Sequence, residues 1–522
     1  MHWNTVSIQN ALWFFFLSVI LSQHTTQCAN SSLDVKNPDT WKELADERFK
    51  QFEQSFLWSV VKPPKNVILF IGDGMSLNTV TGARYLKAEK MNLLGGDVQL
   101  VWDDWPVASL VRTFNSDRLT TDSGAAATAF MSGVKGPFNT VGITGTVKCC
   151  ECTELKEVER AKSSIYYASR AGLSTGIVTT TRVTHATPAA AYANILHRDW
   201  ESNGSTSKLG YHCVDAAVQL LTNASDVNVV MGGGATGFYG GSRKSPFRRV
   251  ESDQIHVTSS VNGATYKLES NAKDKLVIVD YVLGLFAPEH MDYYIDNSDQ
   301  PSLADMTEAA IKVLSRNPKG FLLLVEGGRI DHGHHKSQAK HALTETLEFE
   351  KAIDRASTLV KGTDTLLMVT ADHSHAYGVI GYPSRNLSVF DVGDDLKAAD
   401  NKSYLISSYF NGPRGLVNEF RSDPATEDRF ANNYTAQSFF RLNYATHGAE
   451  DVPIYAKGPF SQLFHSASDN TFIAYATMYS LCIGPYVNKT HCSGGYNASN
   501  SRLPQMKYYL VLLSFILYNF LN

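Results

Sequence analysis

Residue types that bind metal ions recur in this chain directly after short apolar runs. The fullest cluster spans residues 325–335 and follows the apolar run 321–324. Within it Asp331 and His335 stand four residues apart, so on a helix both side chains lie on one face and can bind one ion. Carboxylate and imidazole are ligands that zinc accepts, and the segment therefore predicts a metal site.

Two further carboxylates follow runs that have the composition of buried parallel strands. The run 67–71 leads to Asp73, which stands between two glycines that allow close backbone approach to an ion. The run 365–369 leads to Asp372 and His373. Taken singly, each Asp is equally well a helix cap or a turn residue. Because α/β sheets bind ligands at the carboxyl ends of their strands, the set as a whole favours a shared metal site.

Ser123 is the nucleophile candidate, and small residues that favour a helix follow it at 124–129. The amino terminus of that helix would offer backbone N–H groups to a phosphate. The alternative is plain capping of the helix by Asp122 or Ser123. A serine hydroxyl needs activation near neutral pH, and the chain has no evident Gly-x-Ser-x-Gly elbow with a triad. A metal ion can supply that activation.

These motifs resemble those of the alkaline phosphatases. Within this family they resemble the animal, membrane-anchored branch, and in particular its invertebrate, insect-like members. The resemblance runs from about Trp41 to about Cys492. It rests on six motifs in family order, Gly-Asp-Gly (72–74), Asp-Ser-Gly (122–124), Thr-Thr-Arg-Val-x-His-Ala (180–186), Val-Glu-Gly-Gly-Arg-Ile-Asp-His-Gly-His-His (325–335), Thr-Ala-Asp-His-Ser-His (370–375) and Thr-His-Gly-Ala-Glu-Asp-Val (446–452). It implies hydrolysis of phosphate monoesters at alkaline pH through a phosphoserine at Ser123.

The resemblance also implies ligands for two zinc ions and one magnesium ion per subunit. The first zinc set is Asp331, His335 and His447. The second zinc set is Asp73, Asp372 and His373. The magnesium set is Asp73, Thr187 and Glu326, whose oxygen ligands suit this harder ion.

Four further residues match family positions around those ligands. Arg198 would hold two phosphate oxygens with its planar guanidinium, although spacing alone would favour an ordinary surface arginine. His185, His332 and His375 would orient ligands or magnesium-bound water.

Three positions depart from the commoner family pattern. Ser76 and Gly124 stand where glycine and alanine are usual, close to the predicted site. Ala287 stands where vertebrate members have a calcium-binding glutamate, which argues against a fourth metal ion.

Strand-like runs near Val67, Ile177, Val227, Leu322, Leu366 and Ile454 alternate with helical stretches such as 338–356. This alternation predicts an α/β fold with a central, mostly parallel sheet flanked by helices on both faces. The polar region of about 382–444 resembles the crown insertion of the family. Segment 38–56, with Trp41, Leu44, Phe49 and Phe52 at roughly helical spacing, resembles the arm that embraces a partner subunit. We therefore expect a homodimer.

Both ends of the chain have the composition of processed segments. Residues 11–21 form the apolar core of a secretion signal that ends near residue 29, and the catalytic domain then spans 30–497. The apolar tail 508–522 follows a polar spacer, which favours a glycosylphosphatidylinositol (GPI) anchor at Asn497 and removal of residues 498–522. The segment 493–495 is the next candidate for the anchor. A short transmembrane helix is the alternative for the tail.

Glycosylation sequons support a secreted protein on the outer face of the cell membrane. They stand at Asn30, Asn203, Asn223, Asn386, Asn401, Asn433, Asn488 and Asn497. Asn497 cannot be both a glycosylation site and the anchor residue. Seven cysteines fit an oxidising compartment. The resemblance pairs Cys152 with Cys213 and Cys482 with Cys492. Cys28 would leave with the signal, and Cys149 and Cys150 stay unassigned, with zinc binding by the 149–152 cluster as an alternative.

The formal net charge of −4 argues against a nucleic-acid partner and against a polybasic membrane patch. Small phosphate monoesters would instead meet the metal ions and Arg198. Two other functions compete with this prediction. One is a surface glycoprotein that has kept the fold as a receptor and lost catalysis. The other is a related metal-dependent phosphodiesterase or sulfatase, which would share the Asp and His ligands.

Overall fold

A computed structural model describes residues 34–53, 62–203, 213–239, 281–296, 299–415 and 420–493. Every described helix and strand belongs to one compact unit that begins at Val35. The described helices α1 to α11 are Pro38–Glu53, Leu77–Lys90, Ser123–Ser132, Ser164–Arg170, Ala186–Ala189, Ala216–Asn223, Thr236–Tyr239, Leu303–Leu314, Arg329–His335, Ala339–Leu359 and Thr471–Ser480. The described strands β1 to β14 are Asn66–Gly72, Val107–Arg112, Ser174–Arg182, Val229–Gly233, Val282–Leu285, Phe321–Gly327, Thr365–Thr370, Ser374–His375, Tyr377–Val379, Ser407–Gly412, Ser438–Arg441, His447–Gly448, Val452–Lys457 and Ser468–Asp469.

The core of the protein is a nine-stranded sheet with the strand order β14-β2-β13-β7-β1-β6-β3-β4-β5. β1 lies in the middle and is parallel to both of its neighbours, β6 and β7. Among the described strands of this sheet, only β13 runs antiparallel, against β7 and β2. β6 and β7 are buried along their whole length, which explains their continuous apolar sequences. The predicted mostly parallel α/β sheet is confirmed.

The register of four adjacent strands places the predicted ligands at one edge of this sheet. Ile71 of β1 lies beside Glu326 of β6 and Thr370 of β7, and Glu326 lies beside Thr179 of β3. The strands therefore end together, and the residues that follow them converge.

Ser76, the first departure from the family pattern, caps helix α2. Its side chain accepts a hydrogen bond from the backbone N–H of Thr79 at 3.1 Å. Its φ of −65° is accessible to any residue, so glycine is not required here. The left-handed conformation in this turn belongs instead to Gly74, whose φ is 67°.

A three-stranded sheet of β9, β10 and β11 occupies the region of the predicted crown insertion. β9 begins at Tyr377, ahead of the expected boundary at 382. The aromatic rings of Phe410, Phe439 and Phe440 on this sheet are exposed. Residues 416–419 of the insertion lie outside the described part of the chain.

Helix α1, the predicted arm, packs its apolar face on its own chain. Trp41, Phe49 and Phe52 are buried, and the Phe49 ring stacks on Tyr479 with 4.0 Å between centroids. Leu44, the fourth apolar residue of the predicted arm, is 45% exposed on this chain. The buried stripe continues from Trp41 to Ala45, four residues on, and position 44 lies beside it. Residues 54–56 of the predicted arm lie outside the described ranges.

We expect Phe49→Ala to lower the free energy of unfolding by about 3–5 kcal/mol, because it removes a fully buried ring and leaves a cavity. Urea unfolding of the purified protein measures this loss. Glu47→Ala on the exposed side of the same helix is the control and should change stability by less than about 0.5 kcal/mol. Equal effects of the two substitutions would contradict the packing of this helix.

Three disulfides are present among the described residues, joining Cys149 to Cys150, Cys152 to Cys213 and Cys482 to Cys492. The alternative of a zinc site in the 149–152 cluster is wrong, because each of its sulfurs is already bonded to another sulfur. Within the described ranges, no helix has the length and apolar character needed to cross a bilayer.

Candidate active site

Ser123 is the first residue of helix α3, and its hydroxyl is not used to cap that helix. Asp122 is the cap instead, and its carboxylate accepts a hydrogen bond from the N–H of Gly124 at 3.0 Å. The Ser123 side chain is buried, and its Oγ lies 3.4 Å from Nε2 of His373. The nucleophile candidate therefore adjoins the second predicted zinc set.

The second departure from the family pattern, Gly124, has a steric cause. A Cβ atom at this position would lie 2.6 Å from the carbonyl oxygen of Thr140, closer than real Cβ contacts allow. Alanine would force the loop at Thr140 away from the start of α3. Glycine is therefore required by the packing that supports Ser123.

The structure brings the first predicted zinc set together. Nε2 of His335 lies 3.2 Å from an Asp331 carboxylate oxygen and 3.2 Å from Nε2 of His447. The other nitrogen of each ring faces a backbone carbonyl, that of Ala445 at 2.6 Å for His335 and that of Thr121 at 2.9 Å for His447. Each Nδ1–H donates to its carbonyl, so each Nε2 presents its lone pair to the cluster.

His375 was expected to act around the ligands and lies within the same cluster. Its Nε2 is 3.1 Å from the other carboxylate oxygen of Asp331, and the ring is fully buried. The two-stranded sheet of β8 and β12 explains this position, because it pairs His375 with His447.

The second predicted zinc set is fully buried. Nε2 of His373 lies 3.0 Å from Asp372 and 3.5 Å from Asp73. The N–H of Gly74 donates to the other Asp372 oxygen at 3.0 Å, and Nδ1–H of His373 donates to the Ser374 carbonyl at 3.0 Å. The imidazole of His373 and the carboxylate of Asp372 are thus fixed in direction by the backbone.

Several buried polar atoms here have no hydrogen-bond partner among the described residues, although a buried polar group without a partner is costly. They are both carboxylate oxygens of Asp73, Oδ2 of Asp372, Oε1 of Glu326 and Nδ1 of His185. The other Glu326 oxygen accepts hydrogen bonds from Thr179 and Thr181. Asp73, His185 and Glu326 lie close enough to ligate one ion, and Asp73 can also ligate with Asp372 and His373. The donor set fits divalent cations.

The charges in the site require cations as well. Burial, followed by repulsion from Asp372, Asp331 and Glu326, raises the pKa of Asp73 well above its ordinary value. Burial raises the pKa of Glu326 to about 7, against the hydrogen bond from Thr179 that lowers it. Burial, followed by the charge of His373, lowers the pKa of His447 to about 3, so this imidazole is neutral and able to ligate.

Arg198 is not an ordinary surface arginine, since its side chain is only 17% exposed. One guanidinium nitrogen donates to Asp122 at 3.2 Å, and another donates to Nε2 of His185 at 3.0 Å. Its backbone N–H donates to the carbonyl of Asn139 at 2.7 Å. These contacts fix the guanidinium beside the residue that precedes Ser123.

The family model that matches residues 64–483 is described as Alkaline phosphatase. The chain belongs to the alkaline phosphatase family. The tissue-nonspecific alkaline phosphatase of Rattus norvegicus is 39% identical over 488 residues, which cover 89% of this chain and 92% of the rat protein. An alkaline phosphatase of Gadus morhua is 40% identical over 441 residues, 80% of this chain and 92% of that protein. As an alkaline phosphatase, the chain is a metal-binding hydrolase of phosphate monoesters.

Solved alkaline phosphatases share the fold. The enzyme from the Antarctic bacterium TAB5 has a TM-score of 0.57 at 21% identity, and covers 81% of this chain and 99% of its own. The Thermus thermophilus enzyme has a TM-score of 0.57 at 22% identity, with 82% and 94% covered.

Sequence reasoning about this alkaline phosphatase missed His290. Its ring packs against those of His185 and His332, with centroids 5.2 and 4.3 Å away. His290 stands in a loop after Pro288-Glu289, where no periodicity points to it. Ala287 in the same loop is buried, and its methyl side chain has no oxygen to offer to a metal ion. Its backbone carbonyl accepts hydrogen bonds from Gly234 and Ala235.

Proposed function

We propose that Ser123 is the nucleophile of this alkaline phosphatase and forms a phosphoserine during turnover. The observation that carries the proposal is the position of Ser123 Oγ, 3.4 Å from His373, at the start of a helix and beside buried carboxylates that lack partners. Asp122 caps the helix in its place, so the hydroxyl is left available for chemistry.

Two zinc ions and one magnesium ion per subunit are proposed for the three ligand sets. The zinc sets are Asp331, His335 and His447, and Asp73, Asp372 and His373. The magnesium set is Asp73, Glu326 and Thr187. His185 lies within ligand distance of Asp73 and Glu326, and the buried Thr187 hydroxyl has no hydrogen-bond partner among the described residues. A related solved enzyme, a variant of the TAB5 alkaline phosphatase, has magnesium bound, which supports a magnesium site in this family. Bound ions would lower the pKa of the serine hydroxyl and of water and neutralise charge on the phosphoryl group.

The reaction then follows from the positions of the side chains. Ser123 Oγ gives up its proton to solvent and attacks phosphorus. The serine O–P bond forms, the bond from phosphorus to the leaving oxygen breaks, and that oxygen takes a proton from solvent to leave as the alcohol. Arg198 holds two non-bridging oxygens, and N–H groups at the start of α3 face the same anion. A water molecule then loses a proton and attacks phosphorus, the serine O–P bond breaks, Ser123 Oγ regains a proton, and inorganic phosphate leaves. Positioning and charge neutralisation account for most of the rate.

Hydrolysis of a chromogenic phosphate monoester tests this proposal from neutral to alkaline pH, with and without a chelator. We expect turnover that rises toward alkaline pH, is lost after chelation and returns when zinc and magnesium are added together. Turnover that resists exhaustive chelation would contradict a metal-activated serine. The receptor alternative predicts no turnover in any condition, but it is not favoured, because the proposed ligand sets are complete.

We expect Arg198→Lys to raise KM about 10- to 100-fold with a smaller fall in kcat. Lysine keeps the charge but cannot hold two phosphate oxygens in one plane, which costs about one charge-assisted hydrogen bond. Steady-state kinetics on the same chromogenic substrate measures the split between KM and kcat. Arg170→Lys, at an exposed arginine on helix α4, is the control and should leave both constants unchanged. An unchanged KM in Arg198→Lys would remove this residue from the phosphate site.

We also propose export of the chain and attachment to the outer face of the cell membrane. The signal (1–29), the anchor residue Asn497 and the propeptide (498–522) lie outside the described residues, so the proposal rests on their composition. The sequons at Asn223, Asn386, Asn401, Asn433 and Asn488 are exposed and Asn203 is partly exposed, as glycan addition requires. Release of the enzyme from membranes by a phosphatidylinositol-specific phospholipase is expected. Retention would favour a spanning tail.

A homodimer is proposed for the assembled enzyme. The exposed rings of Phe410, Phe439 and Phe440 on the crown-type sheet support an interface there, because clustered exposed aromatic rings mark contact surfaces. Light scattering of the purified enzyme distinguishes a dimer from a monomer.

A further inference from the structure

Three histidines form a packed cluster beside the proposed magnesium set. The ring centroids of His290 and His332 are 4.3 Å apart, and those of His185 and His332 are 5.6 Å apart. His185 is buried, whereas His290 and His332 are partly exposed. The outer part of the cluster is therefore accessible to solvent.

Three imidazoles this close are a ligand set that zinc accepts, but the charges around them oppose a cation. One ring nitrogen of each histidine faces a guanidinium group. The pairs are Arg198 with His185 at 3.0 Å, Arg182 with His290 at 2.6 Å and Arg329 with His332 at 2.8 Å. A divalent cation at the centre would be repelled by these guanidinium charges, so the cluster is suited to an anion.

The hydrogen bonds determine what the rings can offer. A guanidinium has donors only, so the ring nitrogen that faces it must accept. Nδ1 of His332 accepts from Arg329, and the proton of this neutral ring is therefore on Nε2. His332 thus presents an N–H donor on the side of the ring that faces away from Arg329.

Arg329 differs from the other two arginines in its charge balance. Arg182 pairs with Glu201 at 2.6 Å, and Arg198 pairs with Asp122 at 3.2 Å. In the part of the chain that the structure describes, Arg329 makes no ion pair with a carboxylate, and its buried Nε has no hydrogen-bond partner. Its guanidinium instead lies over the ring of Tyr293, 4.0 Å from the centroid.

The guanidinium of Arg329 lies close in the chain to the proposed metal ligands. Arg329 and His332 lie on helix α9, which also carries Asp331 and His335 of the first zinc set. His332 packs against His185, which accepts a hydrogen bond from the phosphate-binding candidate Arg198. A chain of contacts therefore runs from the proposed phosphate-binding Arg198 through His185 and His332 to Arg329.

We propose that Arg329 and His332 form an anion subsite that favours phosphate monoesters whose leaving group has a negative charge of its own. His290 supports the subsite by packing against the His332 ring. The inference rests on the proposed function of Ser123 and specifies the substrate class of that same site. Charge-assisted donors of this geometry accept either a carboxylate or a second phosphoryl group.

The test compares phenyl phosphate with 3-carboxyphenyl phosphate, whose leaving groups differ mainly by one negative charge, and adds pyrophosphate as the phosphoryl arm. We expect kcat/KM for both charged substrates, relative to phenyl phosphate, to fall about tenfold in Arg329→Gln and in His332→Asn. Lys336→Gln is the matched control, since Lys336 lies over the same Tyr293 ring at 5.0 Å and, among the described residues, is not hydrogen-bonded to any of the three histidines. A fall with pyrophosphate alone would restrict the subsite to phosphoryl groups.

Equal losses of kcat/KM for substrates with charged and with uncharged leaving groups would show that Arg329 has only a structural role and would overturn the proposal. Unchanged ratios would overturn it as well. Calorimetric binding of methylenediphosphonate and methylphosphonate to the metal-loaded protein gives a second readout that does not need turnover. We expect the preference for methylenediphosphonate to fall about tenfold in Arg329→Gln. An inactive wild type would therefore refute the proposed function alone, whereas the absence of this binding preference would refute the subsite.

Discussion

Replacing Ser123 with alanine is expected to lower kcat by at least about a thousandfold, because it removes the atom that receives the phosphoryl group. The hydroxyl lies 3.4 Å from His373 and is left available by the Asp122 cap, so its loss leaves the helix start unchanged. The variant should fold and bind metal ions as the wild type does. Steady-state kinetics with a chromogenic monoester measures the loss.

Ser132→Ala is the matched control for this substitution. Ser132 is the last residue of the same helix and is also buried, but it lies at the opposite end of α3 from Ser123. We expect its kcat to stay within about twofold of the wild type, as for substitutions remote from the reacting atoms. Full activity in Ser123→Ala at unchanged metal content would assign the nucleophile to another group.

Asp73→Asn is expected to remove two of the three metal ions and to lower kcat by more than about a hundredfold. Asp73 belongs to two potential ligand groups, one with Asp372 and His373 and one with His185 and Glu326. The first zinc set does not include it and should stay occupied. Elemental analysis of the purified variant, together with kinetics, checks both parts. Asp226→Asn at an exposed ion pair is the control and should keep all three ions.

The same substitution should stabilise the protein when no metal ion is present. Burial and three neighbouring carboxylates raise the pKa of Asp73 in the folded chain, which therefore keeps this proton to higher pH than the unfolded chain does. The stability of the metal-free wild type then falls as pH rises from the unfolded value of about 3.9 toward the raised folded pKa. Asparagine has no such charge, so at neutral pH the metal-free variant should melt at a higher temperature. A lower melting temperature would contradict this electrostatic account.

Local patterns predicted the parts of the site that depend on neighbouring residues in the chain. Asp73 and Asp372 follow apolar runs that form adjacent parallel strands, and the register brings both residues to one edge. Asp331 and His335 are four residues apart on a helix, as their spacing predicted. Strand burial and helical period are properties of short segments, so the sequence shows them directly.

Local sequence patterns could not predict contacts between segments that are far apart in the chain. His447 lies on a two-residue strand that pairs with His375, and only the family resemblance pointed to it. His290 reaches the site because its loop packs on Arg182. The bond between Cys149 and Cys150 joins neighbours in the chain, and their spacing does not indicate whether such residues pair. Leu44 of α1 is exposed because the buried face of this helix follows steps of four and three residues that bypass it.

The most direct test of the central claim, that buried metal ions turn Ser123 into a phosphoryl acceptor, is to trap the intermediate. The enzyme is incubated with substrate, quenched in acid, digested and mapped by mass spectrometry, before and after metal removal. The account predicts one phosphoryl group on Ser123 in the metal-loaded enzyme and none in the chelated enzyme. Phosphate on another residue, or on Ser123 in the absence of metal ions, would contradict it.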